Sequence, residues 1–188
     1  APKRQLGPSI LPLGPVPSDA TEVEIRVVGS NVQSQGRDVA LDYLRWEPCL
    51  LGPGTADGVW AQVITKHDCD YRGQDLGTSY SGGHQFWVQP CSLNAWIEVA
   101  LEIPRAGNFQ IVAKFTKSWD YARIQVFLDG KPLGPEADTY APTVVPGEPM
   151  TLGKLDLSPG RHVLRFQAVG HHPESKGYLM GIDHVMVK

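Results

Sequence analysis

The chain has 188 residues, of which 41% are hydrophobic, and it carries a formal net charge of -3 at pH 7. This size and apolar content are typical of one domain with a single sizeable core. The slight negative charge gives no reason to expect a nucleic-acid surface. No apolar run reaches the ~18 residues that a membrane span needs, so no span is predicted.

The first twenty residues are rich in proline, which occurs at Pro2, Pro8, Pro12, Pro15 and Pro17. Proline at this density removes backbone donors and favours extended conformations. We therefore predict a linker or an arm over residues 1–20 and a single domain over 21–188. Because the chain starts at Ala1 without a signal-peptide pattern, we expect a processed protein or a domain of a larger chain.

Strand-like alternation first occurs in residues 22–28 and becomes regular from His84 onward. Residues 30–74 are rich in turn signals, and we expect long loops, an insertion or a small extra hairpin there. The later predicted strands are HQFWVQP (84–90), AWIEVALEIP (95–104), NFQIVAKFT (108–116), ARIQVFLDG (122–130), MTLGKLDL (150–157), RHVLRFQAVG (161–170) and GYLMGIDHVMVK (177–188).

These strands have one apolar and one polar face. Ile97, Val99 and Leu101 share one face of their strand, whereas Trp96 and Glu98 share the other. One buried and one solvated face is typical of antiparallel sheets. The Asp-Gly pair at 129–130 follows an alternating run and predicts a tight hairpin. The fold class predicted is therefore all-β, an antiparallel β-sandwich.

The chain has three cysteines, Cys49, Cys69 and Cys91. Their spacing does not match the paired close ligands of a zinc site. One disulfide with one thiol is expected if the protein is secreted, and three buried thiols are the alternative. If a disulfide forms, the preferred pair is Cys69 and Cys91, since it would hold the segment between them at both ends.

The chain resembles the galactose-binding-like jelly-roll domains, in particular carbohydrate-binding modules of the family 6 and family 35 type. The resemblance rests on EIPRAGNFQIVAKFTKSWDYARIQVFLDGKPLG, LGKLDLSPGRHVLRFQAVG and GYLMGIDHVMV, and on YSGGHQFW, which is similar to a Ser-Gly-Gly-x-Gln stretch of these domains. It covers roughly residues 75–188. The resemblance implies a jelly-roll form of the sandwich, carbohydrate as ligand and a place in a large secreted bacterial protein.

The resemblance also implies a structural calcium ion between the first and last strands. Glu22, Glu24 and Asp183 match the positions of a Glu-x-Glu strand and a final-strand aspartate that hold calcium in the family. Calcium takes oxygen ligands, and residues two apart on a strand share a face. The alternative is two solvated glutamates and a capping aspartate.

In the family, sugar binds either at loops of one end or across the concave sheet. Recognition uses an aromatic ring against the apolar face of a pyranose and polar groups for its hydroxyls. Tyr80 is expected to be exposed by its glycine-rich turn, whereas Tyr121 is expected to pack. Trp96 could form a sugar platform on the sheet instead. The candidate ligand-binding residues are Trp119, Asp120, Tyr140, Tyr80, His171, His172 and Lys176.

A catalytic role finds little support in the sequence. There is no nucleophile elbow, zinc-protease motif, P-loop or dinucleotide fingerprint. Glu98 and Glu102 are four residues apart on one strand face, or about 13 Å, which is too far for a glycosidase pair. An enzyme could draw on carboxylates of the 30–75 segment, namely Glu47, Asp57, Asp68, Asp70 and Asp75.

The sequence thus predicts a secreted, non-catalytic carbohydrate-binding module attached to a larger polysaccharide-active or surface protein. Its expected partners are a polysaccharide and the neighbouring domains of that protein, with no nucleic acid. The first alternative is a structural or assembly domain that packs against a neighbouring domain or subunit. The second alternative is a glycan-active enzyme that uses the 30–75 segment.

Overall fold

The computed structural model describes residues 54–57, 63–89 and 92–188. Within these residues the chain forms twelve strands and a short 3-10 turn at Ser81–Gly83. The strands are β1 Gly54–Asp57, β2 Val63–His67, β3 Asp70–Asp75, β4 His84–Gln89, β5 Trp96–Ile103, β6 Gly107–Lys117, β7 Ala122–Leu128, β8 Lys131–Asp138, β9 Val145–Pro146, β10 Met150–Leu157, β11 Gly160–His171 and β12 Met180–Val187.

The strands form two antiparallel sheets. The first sheet has the order β10-β6-β12-β4-β3, with β1 pairing with β12 and β9 pairing with β6. The second sheet has the order β2-β5-β11-β7-β8. The predicted all-β antiparallel sandwich is therefore confirmed. Across the described part of the chain, no helix is long and apolar enough to cross a membrane.

The core consists of the apolar faces that the alternation predicted. Ile97, Val99 and Leu101 on β5 are 0–1% exposed, whereas Trp96 and Glu98 on the opposite face are only partly buried. The same alternation buries one face of β6, β7 and β11. Each large apolar side chain buried in this way contributes about 1.5–3 kcal/mol, so these rows dominate the stability of the sandwich.

The two sheets contact each other through rings as well as aliphatic side chains. Phe115 of β6 and Phe166 of β11 meet edge to face, with ring centroids 6.2 Å apart. This is a favourable geometry for aromatic pairs because the positive edge of one ring faces the negative face of the other. The pair joins β6 of the first sheet to β11, the central strand of the second.

Two edge strands were not predicted as strands. β8 has the sequence KPLGPEAD and β3 has the sequence DYRGQD, and both lie at the edge of a sheet. Proline and glycine are tolerated at an edge because one side of the strand needs no ladder hydrogen bonds. The alternation that marks a strand is therefore lost at both positions.

Most of the segment 30–74, for which long loops, an insertion or a small extra hairpin were expected, lies outside the described residues, and its described end forms a corner between the sheets. Only Asp68 and Cys69 separate β2 from β3, yet β2 pairs with β5 of the second sheet. β3 pairs with β4 of the first sheet. Asp68 has a positive φ of 51°, which lets the chain turn sharply from one sheet to the other.

The Asp129-Gly130 hairpin between β7 and β8 is confirmed. Both residues have positive φ, at 49° and 76°, as a type I′ turn requires. The Asp129 carboxylate also reaches β11, where it accepts a hydrogen bond of 2.8 Å from the Val163 amide. Its second oxygen lies 2.7 Å from Nδ1 of His162, whose Nε2 lies 2.9 Å from the Ser158 carbonyl oxygen.

The His162 contacts predict a pH-dependent stability. Both ring nitrogens face acceptors, and only the protonated imidazole donates to both. Burial alone would lower the pKa of His162, but the bonds to Asp129 and Ser158 outweigh it and raise the pKa. A raised pKa stabilises the fold at acidic pH, and this contribution is lost as pH rises through the folded-state pKa.

Replacing His162 by glutamine should therefore destabilise the fold more at about pH 5 than at about pH 8. This is the pH range in which histidine titrates. We expect a difference of at most about 1 kcal/mol, because the Asp129 carboxylate is half-exposed. Urea unfolding of the wild type and of the His162→Gln variant across this pH range measures the difference in stability. A cost that is independent of pH, or that grows toward pH 8, would contradict the assignment.

Several predictions fall on residues outside the described part of the chain. These are the proline-rich arm 1–20, the strand 22–28 and the cysteines Cys49 and Cys91, so the domain limits and the Cys69–Cys91 disulfide stay predictions. The Cys69 sulfur itself lies 3.2 Å from the Trp96 carbonyl oxygen, where the chain crosses between the sheets.

Candidate functional site

Three connections meet at one end of the sandwich. They are the β6–β7 turn 118–121, residues 139–141 after β8, and residues 171–179 from the end of β11 to the segment before β12; we call them together the rim. Main-chain hydrogen bonds join them: the Ser118 amide donates to Thr139 (3.0 Å) and the Lys176 amide to Trp119 (3.0 Å). The Leu179 amide donates to Asp120 (3.1 Å). The rim is thus a single hydrogen-bonded surface.

Two further residues, Ser175 and Gly177, hold the same connections close together. Ser175 is buried and donates from its hydroxyl to the Tyr121 carbonyl oxygen at 2.8 Å. Gly177 passes so close to the β6–β7 turn that a Cβ there would lie 2.8 Å from the Asp120 carbonyl oxygen. Glycine at this position therefore allows the two connections to approach each other.

A stacked aromatic pair lies in the rim. The rings of Tyr140 and His172 are parallel within 4° and their centroids are 4.4 Å apart. The Tyr140 hydroxyl donates to Glu174 at 2.9 Å, and the Glu174 amide donates to Nδ1 of His172 at 3.2 Å. The bond to the Glu174 carboxylate raises the pKa of the Tyr140 hydroxyl, so the hydroxyl stays a neutral donor. These contacts hold both rings in one orientation.

Trp119 is the most exposed aromatic residue of the rim. Its side chain is 46% exposed at the tip of the β6–β7 turn. Among the described residues no ring or cation packs against it in an aromatic or cation–π contact. The neighbouring Asp120 is oriented by a 2.7 Å hydrogen bond from the Ser118 hydroxyl. An exposed flat ring and an oriented, partly exposed carboxylate are thus neighbours along this turn.

The remaining predicted residues of this end also lie in the rim. His171 ends β11 and does not lie in the loop as expected; its ring meets Tyr178 edge to face at 4.9 Å. The Lys176 side chain is exposed. The structure therefore brings together Trp119, Asp120, Tyr140, His171, His172 and Lys176, and their role in ligand binding stays a prediction.

The predicted exposure of Tyr80 is wrong. Its side chain is 8% exposed, and burial raises the pKa of its hydroxyl, with a smaller effect from the nearby Asp183. The glycine-rich turn folds back on itself, since the Leu76 and Gly77 amides both donate to the Gly83 carbonyl oxygen. Glycine there allows tight folding of the backbone and does not present the tyrosine to solvent.

Tyr121 is buried, as predicted. It is 3% exposed and its hydroxyl accepts a 2.9 Å hydrogen bond from Gln85. Burial, only partly offset by this bond, raises the pKa of the hydroxyl. The residue lies directly after Asp120, so its packing anchors the β6–β7 turn at the surface of the sandwich.

The alternative platform at Trp96 is disfavoured by its neighbours. The Arg165 guanidinium lies 4.4 Å from the Trp96 ring, and the His67 ring stacks near it at 5.9 Å. Arg165 is also held by Glu98 at 2.6 Å. A sugar ring would have to displace these contacts before it could stack on Trp96.

The carboxylates proposed for an enzyme do not converge in the described residues. Asp70 pairs with Lys66 at 2.6 Å, Asp75 pairs with His84 at 2.7 Å, and Asp68 lies 3.6 Å from His67. Glu47 and the Asp57 side chain lie outside the described residues. Each described carboxylate of this segment is thus beside a basic side chain of its own.

Asp183 of β12 is the one predicted calcium ligand whose surroundings are described. It is fully buried, accepts a 2.7 Å hydrogen bond from the Ser81 amide and lies 3.0 Å from the Lys114 ammonium. Burial would raise the pKa of Asp183, but the nearby His184 ring, the Lys114 ammonium and the hydrogen bond from the Ser81 amide outweigh it and lower the pKa. The ammonium already supplies a positive charge at this carboxylate.

The described residues hold no group of three or more histidine, cysteine, aspartate or glutamate side chains that could bind a metal ion. Glu22 and Glu24 lie outside them. Asp183 therefore fits an ion pair with Lys114, and calcium would bind there only if Lys114 moved away. The calcium site stays a prediction.

No protein-family model matches the chain, and a search of curated proteins finds no match. The structure is similar to solved structures. A Paenibacillus xanthan lyase superposes with a TM-score of 0.65 at 18% identity, covering 75% of this chain and 14% of that chain. A Podospora anserina GH26-CBM35 β-(1,4)-mannanase gives a TM-score of 0.50 at 13% identity, covering 73% of this chain and 27% of that chain.

A family 35 carbohydrate-binding module from an environmental isolate also matches, with a TM-score of 0.50 at 12% identity. The match covers 71% of this chain and 91% of the module. The chain thus spans a small part of the two enzymes and nearly the whole of the isolated module. These likenesses show the fold: the chain is a β-sandwich with the jelly-roll fold of family 35 carbohydrate-binding modules.

Proposed function

We propose that the chain is a non-catalytic carbohydrate-binding module of a larger secreted protein. The observation that carries this proposal is the exposed Trp119 ring beside the stacked Tyr140–His172 pair, at the loop end of the sandwich. The main-chain hydrogen bonds of the rim hold the backbone of Trp119 in place, so the loop itself does not have to be ordered on binding. Ordering costs reduce affinity, and a preformed site avoids them.

The polar groups of the rim suit sugar hydroxyls. Asp120 and Glu174 are hydrogen-bond acceptors, and the Lys176 ammonium is a donor. A pyranose stacked on Trp119 would place its hydroxyls within reach of such groups. Single modules of this kind bind weakly, and attachment to a protein that holds the same polysaccharide would raise the overall affinity.

The comparison with solved structures supports the same role. The fold is shared with an isolated family 35 module, and in two matched enzymes the chain corresponds to a small part of the whole. We infer that this chain, too, functions beside other domains in a protein outside the cell. A structural calcium ion held by Glu22, Glu24 and Asp183 is part of the proposal, with Lys114 displaced.

A glycan array and a panel of polysaccharide affinity gels test the proposal with the whole 188-residue chain. We expect binding to at least one polysaccharide and no release of reducing ends from it. A folded chain that binds no glycan on either assay would reject the proposal and favour an assembly domain. Turnover of a bound glycan would instead favour the enzyme.

A further inference from the structure

Next to the rim, the two sheets part and leave a cleft of about 350 Å³. It lies between β8 of the second sheet and the ends of β6, β9 and β10 of the first. Phe115, Ala137 and Met150 line it, together with four charged residues, Lys117, Glu136, Asp138 and Glu148. The volume falls within the range of about 300–1,000 Å³ found for small-molecule sites.

The cleft is continuous with the rim along two chain segments. β6 leads from Lys117 in the cleft to Trp119 in the rim, and β8 leads from Asp138 to Tyr140. Ser118 and Tyr140 form a parallel bridge, so the two segments run side by side as they leave the cleft. Residues two apart on an extended chain are about 7 Å apart. A ligand bound on the Trp119 ring would thus lie close to the cleft.

The lining of the cleft combines an apolar floor with polar walls. Phe115 and Ala137 are buried and Met150 is partly buried, whereas Glu136 and Glu148 are exposed. A sugar ring has matching surfaces, with apolar C–H faces and hydroxyls around its edge. Carboxylates accept hydrogen bonds from hydroxyls, and such charge-assisted bonds are stronger than neutral ones.

The charges of the cleft select among sugars. The lining includes three acidic residues and one lysine, and Arg123 lies 3.8 Å from one of the carboxylates, that of Glu136. An acidic sugar placed here would add a further negative charge to a surface with an excess of carboxylates. Like charges brought together at an interface are unfavourable. The lining therefore favours an uncharged sugar over a uronate.

We propose that this cleft is a second sugar subsite, in which a neutral oligosaccharide that stacks one unit on the rim places its next unit. The inference rests on the proposed function and specifies it: the ligand is a chain of uncharged sugars and not a single residue. The rim supplies the stacking surface, and the cleft supplies hydrogen bonds to the neighbouring unit.

The test is isothermal titration with mono- through hexasaccharides prepared from mannan, cellulose and xylan. The wild-type affinity should rise with chain length and then level off. A Glu136→Ala/Glu148→Ala double variant should bind the shortest ligands that the wild type binds with equal affinity. It should lose about tenfold on the longer ones, the loss expected for charge-assisted hydrogen bonds. A ladder from polygalacturonan should bind more weakly than the best neutral ladder.

Two further variants show whether the loss of affinity is specific to the cleft and whether it depends on charge. Asp156→Ala removes a carboxylate from β10 in register with Asn108, at the opposite end of β6 from Lys117, and should match the wild type at every length. Glu136→Gln/Glu148→Gln keeps hydrogen-bonding groups and removes the charges. It should retain part of the affinity for long neutral ligands and discriminate less against the acidic ladder.

The outcomes distinguish the cleft from the proposed function. If the double alanine variant follows the wild type at every length while Trp119→Ala loses binding, the cleft inference fails and the carbohydrate-binding function stands. Equal losses on short and long ligands would also overturn the cleft, since the variant would then act through the rim or the fold. Tighter binding of the acidic ladder would overturn the choice of a neutral sugar. Failure of all neutral ladders overturns the cleft inference, and the glycan array decides the function separately.

Discussion

Replacing Trp119 by alanine is expected to weaken glycan binding by about tenfold or more and to leave the fold unchanged. The ring is 46% exposed and does not belong to the hydrophobic core of the described residues, so we expect its removal to cost little stability. Its loss removes the stacking surface, and a tenfold change corresponds to about 1.4 kcal/mol. Retention on a polysaccharide affinity gel measures the effect, and urea unfolding shows whether the variant is folded.

Two companion variants make the Trp119 result specific. Ile64 is 43% exposed on β2, at the opposite edge of the second sheet from β8, and Ile64→Ala controls for the loss of an exposed apolar side chain. Trp119→Phe keeps a smaller ring and should retain part of the binding. If Trp119→Ala is folded and binds as tightly as the wild type, Trp119 is not a contact.

Replacing Gly181 by alanine is expected to destabilise the chain by about 3 kcal/mol or more, at the upper end of the cost of overpacking. A Cβ at this position of β12 would overlap the Gln85 side-chain oxygen. It would also lie 2.6 Å from the Tyr121 ring and 2.9 Å from Cβ of Thr116. Gln85 and Thr116 are fully buried, so neither can swing into solvent to make room.

Urea unfolding of Gly181→Ala against Gly153→Ala tests this. Gly153 also lies in a strand, but a Cβ there would meet only the methyl end of Leu133 at 3.1 Å. A methyl end can shift by a few tenths of an ångström, so we expect a cost below about 1 kcal/mol. Because Tyr121 is the last residue of the β6–β7 turn, Gly181→Ala should also weaken glycan binding. Equal stability of the two variants would refute the packing argument.

The buried rows of the sandwich could be predicted from the sequence because a strand repeats every two residues. Ile97, Val99 and Leu101 have the alternation and the burial that it implies. β8 could not be predicted this way, since edge strands admit the prolines and glycine that erase the pattern. The corner between β2 and β3 was missed because alternation does not say which sheet a strand joins.

The candidate site was predicted in its composition and only partly in its geometry. Aromatic and charged residues in three connections suggested a common end, and the main-chain bonds that join these connections cannot be read from spacing. Tyr80 was misjudged because a glycine-rich turn usually lies in solvent and exposes its side chains. Here Gln85, Thr116 and Asp183 are buried at one end of the first sheet, and Tyr80 packs beside Asp183.

The cleft was missed for a different reason. Glu136 and Asp138 lie in a stretch that was not predicted as a strand, and Glu148 lies in a proline- and glycine-rich segment. Whether these residues face each other depends on how far the two sheets separate at that edge. No local pattern encodes that separation, because it results from the packing of the whole sandwich.

The way the rim is joined has a consequence for how new specificities could arise. The Ser118–Thr139, Trp119–Lys176 and Asp120–Leu179 bonds use only peptide groups, which every non-proline residue supplies. Residues at positions 119, 140 and 176 can therefore be exchanged without loss of the bonds that hold their backbone in place. Such a frame would let related chains diverge in the glycans they recognise, and it offers a starting point for libraries of engineered receptors.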